Sequence, residues 1–184
     1  RSPSEKSEES KFQVFFPPHF FITHDLETDN FRLGLGIYSP FGIGGTKWSE
    51  DGLTRYASTK SLISTVAVNP ALAWKIQPWL SVAAGLFYLG AYSDTERMVN
   101  QSALGAPDGK SSIKGYGGGW GYNLGILLFP GEKLSFGASY RSHCAIDQKL
   151  TLSLDDVAPA LRPLFGGSSF KTKVYSSMDF PQAL

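Results

Sequence analysis

Side chains that could bind a metal ion are few in this sequence of 184 residues. His19, His24 and Asp25 lie close together near the N-terminus. His19 and His24 are separated by an odd number of positions, so on a β-strand they point to opposite faces and do not share a metal ion. Zinc, P-loop, dinucleotide and G-x-S-x-G motifs do not occur in the sequence. We therefore expect neither a metal site nor a cofactor.

A second group of polar side chains consists of Arg141, His143 and Asp147. Even-numbered spacing places all three on one face of a β-strand. We expect a structural polar network there rather than a catalytic centre. A Ser/His/Asp hydrolase could be assembled only by choosing freely among many serines, so no enzyme is predicted.

The composition indicates one domain rich in β-structure. Twenty glycines, 14% aromatic residues and only 18% charged residues suit strands joined by tight turns. A net charge of +1 gives no electrostatic reason to expect nucleic-acid binding. No apolar run is long enough for a membrane helix. The polar N-terminus lacks the apolar region of a signal peptide.

Residues 80–97 form the clearest strand pattern, LSVAAGLFYLGAYSDTER. The even-numbered positions are apolar and end in tyrosines, whereas the odd-numbered positions are small or mixed and end in Arg97. This alternation predicts a long strand with one apolar face. Gly85 and Gly90 disfavour a helix.

Six further segments show a similar alternation. In the segment 134–146, Cys144 falls on the same outward face as Leu134. A break in strand pairing is expected at Ser39, Pro40, Phe41 and Gly42, because proline cannot donate a ladder hydrogen bond and glycine is permissive. The six segments are residues 16–26, 31–39, 62–76, 118–129, 134–146 and 170–177.

The connections alternate between short turns and long segments. The long segments are residues 43–61, 95–114 and 147–169. The last contains LDDVAPALRPLF, which predicts a short helix capped by Asp155 or Asp156 and broken by Pro163. Long strands with short turns at one end and long loops at the other are typical of a transmembrane β-barrel.

A soluble β-barrel or sandwich that binds a hydrophobic ligand shows the same alternation, with its apolar face inward. Strand length, the order of the connections and the shortage of charge on the polar faces favour the membrane barrel. The two alternatives differ at Val82, Leu86, Tyr88, Leu124 and Ile126, which form an exposed band only in the membrane barrel. The expected interfacial aromatic residues are Trp74, Trp79, Tyr92, Trp120, Phe129 and Tyr140.

Several segments together resemble the FadL-type (OMPP1/FadL/TodX) outer-membrane family: FRLGLGIYSPFG, NPALAWKIQPWLSVAAGL, WGYNLGILLFP, LSFGASYRS and the closing DFP. The resemblance extends from His19 to Pro181. It implies an all-β, antiparallel transmembrane β-barrel, of which this chain holds about seven consecutive strands, without the N-terminal hatch and the C-terminal strands. Residues 1–15 are then a polar disordered or loop segment, and residues 16–184 the partial barrel.

The resemblance also implies passive uptake of long-chain fatty acids or aromatic hydrocarbons across the outer membrane of a Gram-negative bacterium. The expected partners are such a ligand and outer-membrane lipid, and the full-length protein is expected to be a monomer. By this resemblance, residues 39–42 form a lateral gate and Arg97 holds a carboxylate. Loop residues expected to line an initial groove are Met98, Val99, Leu104, Val157, Leu161, Leu164 and Phe165.

Overall fold

The computed structural model of the protein describes residues 8–131 and 133–184. These residues form an all-β fold, as predicted. The strands are β1 (His19–His24), β2 (Phe31–Tyr38), β3 (Ile43–Lys47), β4 (Lys60–Gln77), β5 (Leu80–Val99), β6 (Gly109–Gly131), β7 (Leu134–Arg141), β8 (Cys144–Asp155) and β9 (Phe170–Phe180). The helical segments are the 3₁₀ turns Ser102–Leu104 and Pro159–Leu161 and the helix α1 (Arg162–Phe165).

All strands belong to one antiparallel sheet with the order β1-β2-β4-β5-β6-β8-β9. β3 continues the line of β2 beside β4, and β7 precedes β8 beside β6. The nine segments therefore occupy seven positions in the sheet, the number predicted from the sequence. The sheet is not closed, so the chain forms part of a barrel.

The outer face of the sheet carries the predicted apolar band. Leu86, Tyr88 and Leu124 expose 62%, 41% and 49% of their surface, and Ile126 exposes 42%, whereas Val82 is partly buried. These side chains are not packed in a closed core, so the membrane-barrel arrangement is confirmed over the soluble alternative. Phe31 and Trp74 stack at one edge of the band, and Tyr88 packs edge-on against Trp120 towards the other. In the described part of the chain, no helix is long and apolar enough to cross a membrane.

The inner face carries a buried cluster that spans three strand positions. Its members are Ala67 of β4, Phe87, Leu89 and Ala91 of β5, and Cys144 and Ile146 of β8. The side chains of β5 and β8 meet above β6, because the inner positions of β6 at this level are glycines. A Cβ atom on Gly115, Gly117 or Gly119 would overlap the backbone of β8.

The central strands are longer than predicted. β5 reaches Val99, β6 begins at Gly109 and β8 extends to Asp155. The connections are therefore only residues 48–59, 100–108 and 156–169, and β3 lies within the segment that was expected to be irregular. About 9–11 residues suffice for a strand to cross a membrane, so the ends of these strands extend beyond the apolar band.

Ion pairs hold the outer face of these extended strand ends. The Lys114 ammonium lies 2.6 Å from the Glu96 carboxylate, and the Lys110 ammonium lies 3.0 Å from Glu96 and 2.7 Å from Glu50. Lys60 pairs with Asp94. Charged side chains replace the apolar alternation on which the sequence prediction depended, which explains why these strand ends were predicted to be loops.

A one-residue bulge separates β7 from β8. Asn123 faces Arg141 and Gly118 faces Asp147, so the four residues 119–122 lie opposite the five residues 142–146. A single extra residue reverses the two faces of a strand. The Ser142 hydroxyl accepts a hydrogen bond from the Tyr122 amide at 2.9 Å and donates to the His143 carbonyl at 3.0 Å.

The bulge overturns two predictions. Cys144 was expected to point outward, but it is buried in the inner cluster with 2% exposure. Arg141, His143 and Asp147 were expected to share a face. His143 and Asp147 instead lie exposed on the outer face, whereas Arg141 precedes the bulge and reaches the inner ring of Phe41.

The predicted helix in the last long loop is shorter than expected and is capped differently. The 3₁₀ turn Pro159–Leu161 leads directly into α1, and neither Asp155 nor Asp156 provides a side-chain cap. Pro163 lies in the first turn of α1 rather than ending a helix. Proline is tolerated there because the amide at that position has no intrahelical partner.

The N-terminal segment meets the first long loop. Residues 8–18 form no helix or strand, and β1 begins at His19 rather than at residue 16. The Glu8 carboxylate accepts hydrogen bonds from the amides of Ser49 and Thr54 at 3.3 and 3.2 Å. In the predicted loop segment 1–15, residues 1–7 lie outside the described residues and residues 8–15 lie in this stretch. The boundary between this segment and the barrel at residue 16 stays a prediction.

Candidate functional site

The wall of the sheet is interrupted between β2 and β3. Tyr38 faces Ala67 and Ile43 faces Ser64, so the four residues 39–42 lie opposite only two residues of β4. Gly42 has a φ of +83°, a conformation that favours glycine. The break in pairing predicted at Ser39, Pro40, Phe41 and Gly42 is therefore present, and the two extra residues leave the orientation of the following strand unchanged.

Thr65 of β4 fixes the shape of this break. Its amide and hydroxyl both donate hydrogen bonds to the Gly42 carbonyl, at 3.2 and 2.9 Å. The Ser39 hydroxyl lies 3.4 Å from the Thr65 hydroxyl, and Thr65 is fully buried. Nothing in the sequence signals this role of Thr65, which looks like any other residue in an alternating strand.

Phe41 turns from the break to the inner face. Its ring centroid lies 4.4 Å from that of Phe180 in β9, and it packs against the buried cluster. The Arg141 guanidinium lies 5.8 Å from the centre of the Phe41 ring. The interruption of the wall is thus covered from inside by one aromatic side chain held between an aromatic ring and a cation.

Arg97 lies near the upper end of β5, opposite Ser111 of β6. The register of β5 with β6 is unbroken, so Arg97 shares the inner face with Phe87 and Leu89. Its side chain is exposed, and among the described residues it forms no ion pair. The nearby carboxylates of Asp94 and Glu96 pair with lysines instead. A guanidinium in this state can bind an external carboxylate.

Gln101 connects the loops 100–108 and 156–169. Its amide nitrogen donates to the carbonyls of Asp156 at 2.7 Å and Pro107 at 3.3 Å. Its amide oxygen accepts from the Ala158 amide at 2.6 Å, and the residue is 5% exposed. No sequence pattern points to Gln101, because it is a single glutamine in a polar loop.

The loop residues expected to line a groove differ in their surroundings. Val157 is buried, whereas Leu104 and Leu164 expose 45% and 79% of their surface. Phe165 packs edge-on against Phe170 of β9. The tie through Gln101 brings the loop of Leu104 close to that of Val157, while Leu164 projects from the surface. The remaining members, Met98, Val99 and Leu161, are partly buried.

The loop 48–59 is also joined to this group of loops. The Arg55 guanidinium lies 3.1 Å from the Asp108 carboxylate, which accepts a further hydrogen bond from the Tyr56 hydroxyl at 2.8 Å. Hydrogen bonding to Asp108 and then to Tyr56 raises the pKa of Arg55 above its ordinary value, despite opposing desolvation. All three long loops therefore form one connected structure at the upper end of the sheet.

Below the break, the inner face carries a polar pocket of about 450 Å³. Its lining includes Tyr38, Asn123, Ser139 and Arg141. The Asn69 amide lies 3.3 Å from the Tyr38 hydroxyl. Polar groups of this kind mark the inside of a barrel rather than its lipid-facing side.

The whole chain matches a known protein family. Residues 2–184 match the family described as outer membrane protein transport protein (OMPP1/FadL/TodX). The chain belongs to this family. Its members are transport proteins of the outer membrane, which agrees with the exposed apolar band and the open, partial barrel. Among curated proteins, no sequence matches the chain.

Solved structures of the family have the same fold. A FadL homologue of Pseudomonas aeruginosa matches with a TM-score of 0.76 and 14% identity, over 88% of this chain and 42% of that protein. The toluene transporter TodX of P. putida matches with 0.63 and 12%, over 95% and 50%. The toluene transporter TbuX of Ralstonia pickettii matches with 0.59 and 13%, over 85% and 46%. The chain thus spans half or less of the length of these relatives.

Proposed function

We propose that the barrel containing these strands carries long-chain fatty acids or related hydrophobic compounds across the outer membrane of a Gram-negative bacterium by passive diffusion. The observation that carries this proposal is the interruption of the sheet at residues 39–42. In a wall that faces lipid, a pinned break covered by one inward aromatic side chain provides a lateral path between the interior and the membrane. Movement down a concentration gradient requires no cofactor and no catalytic group, so the protein acts as a transporter and not as an enzyme.

Capture begins at the loops. Exposed apolar side chains such as Leu104 and Leu164 offer surface to the hydrocarbon part of the ligand. Met98, Val99, Val157, Leu161 and Phe165 complete the proposed lining. The ties through Gln101 and Asp108 hold the loops together, so this surface forms without the entropy cost of ordering separate loops.

Arg97 is the proposed carboxylate site. Its guanidinium is exposed on the inner face below the loops and has no described anionic partner, so a fatty-acid carboxylate does not have to displace one. The ligand then passes along the buried apolar cluster to the break. Displacement of Phe41 from Phe180 opens the lateral path at residues 39–42.

Two ligand classes differ in their need for Arg97. Two solved relatives are described as toluene transporters. A monoaromatic hydrocarbon has no carboxylate and does not need Arg97, whereas a fatty acid does. We propose the fatty acid because Arg97 forms no ion pair within residues 8–131 and 133–184, and we propose that the complete barrel works as a monomer.

The test is a comparison of Arg97→Ala with Arg97→Lys in the complete barrel. Loss of a charged hydrogen bond predicts about tenfold weaker oleate binding for Arg97→Ala and partial recovery for Arg97→Lys. Toluene binding should not change. Arg32→Ala, at the opposite end of the sheet, is the matched control. Unchanged oleate affinity in Arg97→Ala would exclude the carboxylate site, and loss of toluene binding in the same variant would indicate a structural role.

A further inference from the structure

We propose that the outer face of β8 and β9 binds the phosphorylated saccharide headgroups of outer-leaflet glycolipids through Lys149, Lys171 and Lys173. These three residues are called the lysine patch. All three are exposed, and their odd-numbered positions place them opposite the buried inner residues Cys144 and Ile146. The proposal rests on the outer-membrane location given above but not on the identity of the transported ligand.

The ladder of β8 with β9 brings the lysines together. Lys149 faces Tyr175, Thr151 faces Lys173 and Ser153 faces Lys171. Residues directly opposite and diagonal to one another on a sheet face are about 5–8 Å apart. The side chains of Lys149, Thr151 and Lys173 are therefore neighbours on the outer face, close enough for both ammonium groups to reach one phosphate.

The lysine patch forms no ion pair among the described residues. In residues 8–131 and 133–184, no ion pair involves Lys149, Lys171 or Lys173, whereas Lys60, Lys110 and Lys114 on the neighbouring strands all pair with carboxylates. The acidic residues on the same face, Asp147, Asp155 and Asp179, lie at the ends of the patch. The lysines on the outer face of β4–β6 are thus ion-paired, whereas those of the lysine patch lie between the aspartates without pairing to them.

The height of the lysine patch matches a glycolipid headgroup. Outward side chains on this strand position are apolar or aromatic up to Tyr140 and, apart from the small Ala145, polar or charged from His143 onward, so the hydrocarbon boundary crosses it near the bulge. Lys149 lies six residues further along, about 15 Å above the bulge for a strand tilted by about 40°. This is above the acyl chains and within the saccharide layer. Exposed Tyr116 and Tyr175 flank Lys149 and suit an interface position.

The test uses the complete barrel in detergent and purified lipopolysaccharide as the probe. Binding of intact lipopolysaccharide is compared with binding of the same glycolipid after enzymatic removal of its phosphates and with inorganic phosphate. We expect retention of the phosphorylated glycolipid, weaker binding as NaCl rises, and little binding of the other two probes. Equal binding of dephosphorylated glycolipid, or inorganic phosphate binding as tightly as the glycolipid, would overturn the proposal, and neither comparison requires a variant.

A matched pair of double variants locates the site. If each lysine strengthens glycolipid binding about fivefold, the double variant Lys149→Gln/Lys173→Gln should bind about 25-fold more weakly. Lys75→Gln with Lys133→Gln changes the net charge equally at the opposite end of the sheet and should leave binding unchanged. Equal losses in both pairs would mean that net charge alone attracts the glycolipid and would contradict the assigned site. Oleate transport should persist in both pairs, which separates this test from that of the transport function.

Discussion

The side chains of Ser93 and Gln148 hydrogen-bond at 3.1 Å, although the strands that carry them are separated by β6. The contact is possible because the inner positions of β6 beneath it are Gly115 and Gly117. In an ordinary sheet, side chains two strands apart are separated by about 10 Å. The glycines therefore let the wall bend so that β5 and β8 pack directly against each other.

Gly117→Ala is predicted to destabilise the barrel by about 1–3 kcal/mol. The added Cβ would overlap the Asp147 carbonyl oxygen, a backbone atom that cannot move aside. Gly125→Ala, on the same face of the same strand, is the matched control, since its Cβ would meet Ala83 at an ordinary 3.7 Å. The urea unfolding midpoint of each variant measures its loss of stability. A midpoint for Gly117→Ala as high as that for Gly125→Ala would show that β6 tolerates a side chain at Gly117.

Thr65→Val is predicted to loosen the break between β2 and β3. Valine keeps the shape of threonine but loses the hydroxyl that donates to Gly42, which costs about 1 kcal/mol. Amide exchange at Ser39, Phe41 and Gly42 should become faster, while β2 stays protected. Thr95→Val, at an exposed position of β5, is the control. Unchanged exchange in Thr65→Val would mean that the Thr65 amide alone holds the break.

Gln101→Leu is predicted to separate the loops 100–108 and 156–169. The substitution removes the acceptor of the Ala158 amide and leaves buried polar groups without a partner, a loss of about 1–3 kcal/mol. Exchange of the Ala158 amide should accelerate, whereas the Val157 amide, bonded to Ser168, provides an internal control in the same loop. Equal acceleration at both amides would indicate that the whole loop unfolds rather than separates.

The contact between Glu8 and the loop 48–59 is predicted to depend on pH. Desolvation opposes ionisation of Glu8, but hydrogen bonds from Thr54, Ser49 and Leu53 outweigh it, so the pKa of Glu8 lies below its ordinary value. A lowered pKa means that the stabilisation is complete above the ordinary glutamate value of about 4.3 and is lost as the pH falls through the lower, folded value.

The Thr54 amide resonance should therefore titrate below the ordinary glutamate range, and Glu8→Gln should abolish this titration. Glu9→Gln, one residue further along, is the control and should leave it intact. A Thr54 resonance that titrates identically in Glu8→Gln would assign the effect to another group.

The sequence was most informative where lipid determines the pattern. Leu86, Tyr88 and Leu124 alternate with small or polar residues because one face meets hydrocarbon, and this part of the fold was predicted correctly. The strand ends around Lys110 and Lys114 have the same backbone structure, but ion pairs and water replace lipid on their outer face. Apolar periodicity is absent there, so the same kind of strand resembled a loop.

The candidate site was predictable in part for a similar reason. The missing amide hydrogen of Pro40 and the conformational freedom of Gly42 are visible in the sequence, and the break lies at these residues. The roles of Thr65 and Gln101 arise only from contacts between segments distant in the chain. Nothing in a threonine within a strand or a glutamine within a loop indicates its partner.

The two interruptions of the wall obey an even–odd rule. Odd-numbered side chains point outward in both β2 and β3, because two extra residues lie between these strands. The single extra residue between β7 and β8 reverses this relation, so odd-numbered side chains point inward in β7 and outward in β8. Variants that lengthen residues 39–42 by an even number should keep their downstream strand in phase. Deleting one residue at Ser142 or His143 would leave four residues opposite residues 119–122, so a regular ladder would replace the bulge while Ile146 stays buried and Lys149 stays on the outer face. The bulge therefore absorbs the one extra residue, so the buried side chains of β8 keep their place on the inner face.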